Sequence, residues 1–581
     1  MHAHGVLCRV KDGVHNFLLR KEWKILAPRH KVNRGGKRET KGETMHQSTA
    51  KRLISIMTAF CMSFGTMAVV STALPAAAAS SVQVLTVGTF HGKKGTYTSI
   101  QAAVNAAKPG AWILIAPGDY KESADLSNPP ASFDHGDFGG VLITTSNLHL
   151  VGMNRNTVIV DGTKPGSPTC SSVPADQQYG NVVNGQATGR NGITVWKANN
   201  VSIQNLTVCN FLSGSQESGN QIYWNGGSDS AKIGMKGYSG SYLSATSTYF
   251  GADGTAGTYG IFSSDAAGPA SWNQIYGSNM NDAGMYVGAC QQQCNVTISH
   301  AWMEYSALGY SGTNSGGAIV IKNSMFDNNK DGFDTNTQIN GDPPAPQNGA
   351  CPHNGISPIT HTHSCWVVMN NTFADNNNPN VPQAGNAAQG PVGTGMTLSG
   401  GENDTVMNNT FTGNNAWGLL VIPYPDSSAP EYNQSCTGTG GVEVSGLGCV
   451  YDAKNNRVVG NHFSKNGSFG NVSNGDYGQI VLNANQPSNC YVNNIAPNGT
   501  APANLEQLYP KCGVIQKTAN TGGALFGQVL CDTGFSSCPA GSNYPQTTKV
   551  VMHPLPKNLP TLANPCSKVP SNAWCKNGQP I

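Results

Sequence analysis

The chain has 581 residues, with 34 Lys and Arg against 31 Asp and Glu, a formal charge of +3, 70 Gly, 33 Pro and 16 Cys. A hydrophobic content of 38% is enough to bury a core, which excludes wholesale disorder, and the near-zero charge removes the electrostatic case for nucleic acid as a partner. Glycine at about one residue in eight, without a three-residue period, excludes collagen and points to a turn-rich, mainly β protein.

The basic charge is all N-terminal. Residues 1–52 hold 13 Lys and Arg against four Asp and Glu, whereas the rest of the chain carries a net −6. An apolar run from Leu53 to Leu74 follows Lys51 and Arg52 and ends in PAAAASS, whose small residues suit signal-peptidase cleavage near Ala79. Residues 1–79 therefore read as a leader, with translation expected to start at Met45 so that 45–79 is the signal peptide. The alternative is a transmembrane anchor, against which the Ala-rich exit lacks a positive stop-transfer flank. The expected destination is outside a bacterial cell, with no membrane span after cleavage. Without Cys8 and Cys61 the cysteines number 14, an even count that suits an oxidising compartment. Their spacing suggests Cys290 with Cys294, Cys351 with Cys365, Cys436 with Cys449, Cys531 with Cys538 and Cys566 with Cys575; Cys170 with Cys209 and Cys490 with Cys512 would complete the set.

After the leader, residues 80–120 read as an N-terminal cap and first strand. Ile100, Ala103, Val104 and Ala107 recur at helical spacing, Pro109 and Gly110 stop the helix, and Trp112 to Ile115 form an apolar strand. Residues 121–495 are short β-branched strands separated by Asn- and Gly-rich turns. Aligning the apolar residue before each turn gives Met280, Met303, Phe326, Phe373, Phe411 and Phe463. The first three are 23 residues apart, and the 47 residues from Phe326 to Phe373 read as two such turns plus an inserted loop. A period in the low twenties is one coil of a solenoid. Asn and Gly suit its corners because both tolerate left-handed backbone, and stacked Asn amides can bond along the array. Residues 496–581 carry five Cys and many Pro and read as a disulfide-stapled C-terminal cap or tail.

The opening SIQAAVNAAKPGAWILIAPGDY and the N-x-x-F-x-x-N-x-x-G coils resemble secreted right-handed parallel β-helix proteins of the pectate-lyase-like (pectin lyase fold) superfamily, uncharacterised exported bacterial members included. The resemblance covers roughly residues 82–495. It implies an all-β, right-handed parallel β-helix with three parallel sheets and, in many members, polysaccharide cleavage on one of them. The start is similar to that of pectin methylesterases, but their later catalytic motifs are missing, as are the paired-Asp and Gly-His-Gly signatures of polygalacturonases. No residue role is therefore carried over.

Taking the Gly after each turn as a register mark, strand alternation places Ile193, Ile261, Met285, Tyr310, Phe333 and Leu419 inside. The second and fourth positions face outward, among them Trp196, Phe262, Tyr286, Asp334 and Asn336. Two readings of the aromatics stand. Trp196, Phe262 and Tyr286 form a platform for sugar rings, with Asn336, Lys197 and Lys330 beside it, or they extend the core beneath the insertions at 334–364, 374–394 and 423–454. Glycosidic hydrolysis needs two carboxyl groups, one protonated and one ionised. Asp334 lies on the strip, and Asp265, Asp331, Asp282 and Glu304 are candidates for the second group.

Elimination from a uronate would need a cation to neutralise its carboxylate, and beyond the leader only Arg155, Arg190 and Arg457 supply guanidinium groups. Asp134, His135 and Asp137 are possible calcium ligands, whereas His353, His361 and His363 lack the carboxylate or thiol that would complete a zinc site. Apart from that calcium the expected chemistry requires no cofactor. The expectation is a monomeric secreted enzyme that cleaves an extracellular polysaccharide, with hydrolysis favoured. The alternatives are a uronate lyase and a non-catalytic carbohydrate-binding or structural envelope protein.

Overall fold

Recurring pairs of residues at the corners shape each coil. In the computed structural model, which describes residues 82–581 apart from 125–138, 217, 228–231, 314, 337–354, 426–440, 445–447 and 517–518, the first member of each pair takes left-handed backbone. Examples are Asn370, Asn408 and Asn493, at φ 56°, 55° and 55°. The second member, Asn371, Asn409 or Asn494, turns its amide into the wall of the solenoid. Each Nδ2 donates to a backbone carbonyl of the preceding coil and to the next Asn Oδ1, giving a ladder Asn371–Asn409–Asn461–Asn494 with steps of 3.0–3.1 Å. A parallel ladder runs Asn329–Asn376–Asn414–Asn466. Each ends on a carboxylate that accepts where the next Asn would, Glu506 for the first and Asp476 for the second.

These corners join two kinds of parallel sheet. An 11-stranded sheet runs from Gly139–Ile143 to Thr500–Ala501, and a 20-stranded sheet bends over a corner to make the other two faces. Val201–Cys209 passes through that corner, pairing first with His149–Gly152 and then with Val158–Asp161. The product is a right-handed parallel β-helix with a capping helix and a disulfide-rich C-terminus. The helix α1 (Ile100–Ala106) is capped by Ser99 and by Glu122, whose carboxylate accepts from the amides of Ile100 and Gln101 at the positive end of the helix.

The interior follows the alternation read from the sequence, with Ile222, Met396 and Tyr477 added. Ile193, Ile222, Ile261, Met285, Tyr310 and Phe333 stand in register, as do Met396, Leu419 and Tyr477, all buried. Glycine precedes all of them except Ile222 and Tyr477, where Gln221 and Asp476 stand, because a side chain would crowd the next coil. At Gly332 a Cβ would lie 2.4 Å from the Gly395 carbonyl oxygen and 2.7 Å from Asn376 Nδ2. Phe326, Phe373, Phe411 and Phe463 stack at 4.7–5.1 Å.

Two expectations about the repeat are corrected. Met303 pairs with Gly277, not Met280, which lies on the other sheet. Phe326 pairs directly with Phe373, so the 47-residue spacing is one coil with a long insertion rather than two coils.

Five expected disulfides are present: Cys170–Cys209, Cys290–Cys294, Cys490–Cys512, Cys531–Cys538 and Cys566–Cys575. Cys365 and Cys449 are also disulfide-bonded, while their expected partners Cys351 and Cys436 lie outside the described residues. So do the leader, the Asp134–His135–Asp137 group and His353. Among the described residues no helix is long and apolar enough to cross a membrane.

The C-terminal region leaves the last coil through α2 (Leu505–Leu508), forms α3 (Ala524–Asp532) against the 11-stranded sheet, and then returns along the solenoid. His553 stacks on Tyr305 at 3.7 Å, Pro560 and Thr561 bind Arg155, and Trp574 Nε1 donates to Lys93 O beside the N-terminal cap.

Candidate active site

The outward face of the 11-stranded sheet carries one continuous row, Thr194–Tyr223–Phe262–Tyr286–Ser311–Asp334–Thr397–Leu420–Gly478, each residue paired with the next across neighbouring coils. The middle of this row is the floor of a cavity of about 250 Å³. Tyr286, Ser311, Asp334 and Ser399 face it from the strands, and Asp282 and Tyr259 from one margin. Residues 386–391 form one wall, and Pro423, Tyr424 and Val450 another. Phe526, Val529 and Leu530 of α3, with Thr533 and Phe535 beyond it, form the third.

Two of the five carboxylates proposed from the sequence meet here. Asp334 is partly exposed and accepts from the hydroxyls of Thr397 and Ser399, two positions that strand alternation and register place beside it. Asp282 accepts from the Tyr259 hydroxyl at 3.0 Å. Burial pushes its carboxyl up to about 7; the Tyr259 hydrogen bond pulls it down, and the Asp334 charge raises it further. One cavity thus holds a carboxyl whose proton affinity burial raises and a second, partly exposed carboxyl bonded to two hydroxyls.

The other three stand elsewhere. Asp331 shares the inward parity of Phe333 and is fully buried, its amide-bonded carboxyl held well above the usual range by burial and by Asp334. Asp265, at the end of Gly257–Ser264, has left-handed backbone and is not among the described residues lining the cavity. Glu304 lies on the 20-stranded sheet, in register with Asp327, and accepts from Tyr276. It cannot serve Asp334 from that face.

The aromatic residues form a stack rather than an open platform. Phe262 lies between Tyr223 and Tyr286 at 4.3 and 4.8 Å with near-parallel planes, and only 3% of it is exposed. Trp196 is 2% exposed beneath the Lys197 ammonium, 5.0 Å from its ring. Of the three, Tyr286 alone lines the cavity, its hydroxyl bonded to Thr313 O. Lys330 is buried and donates to Gln383 and to Ala388 O, away from the floor. The side chain of Asn336 lies outside the described residues.

Sequence reasoning missed Tyr223, Thr397, Ser399 and α3. Tyr223 escaped because Gln221 stands where other coils have Gly. Thr397 and Ser399 were legible, since GMTLS from Gly395 repeats the pattern of GITVW. For α3 the signal was Leu525 with Val529 and Phe526 with Leu530, apolar pairs four residues apart. Among the described residues, the one group of three potential metal ligands is Asp161 with Cys170 and Cys209, whose sulfurs are joined in a disulfide.

No protein-family model matches the sequence, and a search of curated proteins finds no match. Among solved structures, the A-module of an Azotobacter vinelandii mannuronan C-5 epimerase overlaps 68% of this chain and 91% of its own, with 11% identity and a TM-score of 0.37. An alginate lyase from a Paenibacillus species overlaps 72% of this chain and 96% of its own, with 11% identity and a TM-score of 0.32. The catalytic domain of a GH87 alpha-1,3-glucanase overlaps 71% and 58%, with 10% identity and a TM-score of 0.34. The functional reading therefore rests on the cavity's own residues.

Proposed function

We propose that this protein is a secreted glycoside hydrolase acting on an extracellular polysaccharide at the cavity floored by Asp334. The observation that carries the proposal is the pairing of Asp282 with Asp334 in one cavity with no Lys, Arg or His among its described lining residues. Asp282, protonated near neutral pH, gives its proton to the leaving glycosidic oxygen. Asp334, ionised, takes a proton from the attacking water or attacks the anomeric carbon itself. If Asp334 attacks, water then hydrolyses the glycosyl ester and gives its proton to Asp282, which restores both carboxyl groups; if Asp334 activates water directly, the two carboxyl groups end with their proton exchanged and reset through solvent. Tyr286 and Tyr259 offer ring surface for sugar faces at the margin of the floor. Elimination is disfavoured because a uronate carboxylate entering beside two carboxylates finds no cation among the described lining residues to neutralise it. The disulfides suit an oxidising compartment outside the cell.

The test is incubation of the mature protein with a panel of neutral and acidic polysaccharides. New reducing ends without the ultraviolet absorbance of an unsaturated uronate are expected. Asp334→Asn and Asp282→Asn are each expected to lower the rate by roughly 10²-fold or more. Cleavage that survives Asp334→Asn overturns the site, and absorbance in step with cleavage overturns hydrolysis. Retardation by a polymer without cleavage favours a binding module.

A further inference from the structure

The row that forms the cavity floor is not an open track along the solenoid. Beyond Thr397 it continues to Leu420 and Gly478, and there α3 lies on it: Leu525 and Val529 pack with Trp417, Leu420, Ile422 and Ile480. The approach is close enough that a Cβ on Gly478 would sit 2.8 Å from a Leu525 methyl. In the other direction Tyr286 leads onto Phe262 and Tyr223, which are 3% and 1% exposed, with the Tyr259 ring 4.7 Å from Phe262 and 5.0 Å from Tyr286. The part of the row that lines the cavity runs from Tyr286 through Ser311 to Asp334, two steps between coils, or about 10 Å at ~4.8 Å per step. A cavity of about 250 Å³ lies at the small end for ligand sites.

Nor is α3 loosely held. Cys531–Cys538 closes the turn after it, Asp532 accepts from the Val392 amide at 3.3 Å, and Gln528 accepts from Tyr544 at 2.8 Å. A polysaccharide laid along the floor would meet a fixed obstacle one coil beyond Thr397.

Resting on the hydrolase reading above, we propose that the cavity takes the end of a glycan chain, and that α3 with Phe535 is the stop that confines cleavage to units near that end. Phe526 and Leu530 of α3, and Phe535 after it, are the specificity-determining residues: they present apolar surface where an internal segment of the polymer would have to continue. The substrate class is the terminus of a neutral polysaccharide.

The experiment follows product size and solution viscosity while the full-length mature protein digests a polymer from the panel above. Short products from the first minutes, with viscosity falling slowly per bond broken, are expected. Phe526→Ala/Leu530→Ala/Phe535→Ala is expected to lengthen the early products and to speed the viscosity drop per bond several-fold. If that variant fails to melt like the parent, Phe535→Ala, which leaves the helix intact, serves instead with the same expected direction. Long early products and a viscosity collapse with the parent protein overturn this inference and leave the hydrolase reading standing. A folded variant with an unchanged product profile also overturns it. Absence of cleavage on every polymer overturns both.

Discussion

Replacing Asn376 with Ala removes the centre of the Asn329–Asn376–Asn414–Asn466 ladder. Its Oδ1 accepts from the Asn329 backbone amide at 3.2 Å and from Asn329 Nδ2 at 3.0 Å; its Nδ2 donates to Phe326 O at 3.0 Å and to Asn414 Oδ1 at 3.1 Å. Asn329 Nδ2 retains Met303 O, and Asn414 Oδ1 retains the backbone amide of residue 376, so the loss falls on Asn329 N and Phe326 O. Each buried group left unsatisfied costs about 1–3 kcal/mol, which gives ~2–6 kcal/mol for the substitution. Asn494, only partly buried at the end of its ladder, should cost about half as much when replaced by Ala, because water can reach its former partners. Asn376→Asp should be at least as damaging as Asn376→Ala, since a carboxylate oxygen would face the Phe326 carbonyl. Urea unfolding followed by tryptophan fluorescence, with hydrogen exchange at the flanking coils, measures these differences. A loss below about 1 kcal/mol for Asn376→Ala, or one no larger than for Asn494→Ala, would refute the claim that the ladder holds adjacent coils together.

Other consequences are open to measurement. Burial raises Asp282 and Glu304 to about 7, Asp327 to about 6 and Glu402 to about 8, all above their values in the unfolded chain. The folded state therefore binds more protons between roughly pH 4 and 8, and stability is lost as pH rises through that window. The melting temperature at pH 5 should exceed that at pH 8 by roughly 5 °C or more, and a rise with pH would contradict this. The Cys170–Cys209 bond joins residues 39 apart, so replacing both with Ser should cost about 4 kcal/mol in chemical denaturation by loop entropy. Gly332→Ala should destabilise by about 1–3 kcal/mol through forced overpacking. Gly527→Ala, inside α3 with nothing nearer than 3.8 Å to the new carbon, should instead stabilise by up to ~1 kcal/mol, and equal effects in melting curves would count against the crowding argument.

The solenoid was legible because its rules are local. A left-handed corner residue, an inward Asn and a Gly that no side chain can replace recur along the chain wherever a coil turns. Met280 shows the limit of that reading: a single apolar residue at the right spacing fitted the Phe column, yet strand pairing put Gly277 there. Asp334 and Asp282 could both be named as candidates from the chain, but so could Asp331, Asp265 and Glu304. Parity separates Asp331 from Asp334, whereas the sheet to which Glu304 belongs depends on where each corner falls.

The amino-acid sequence by itself determined the parallel β-helix, its inward row and most of its disulfide pairs, because periodicity, turn chemistry and cysteine spacing act between residues close in the chain or one coil apart. Only the tertiary structure decided which carboxylates share a cavity and that Phe262 and Trp196 are covered. The same is true of the cavity's end wall, which is a helix from the C-terminal region. Those facts depend on contacts such as Leu525 on Gly478 and Asp532 on Val392, between segments whose meeting no local pattern records.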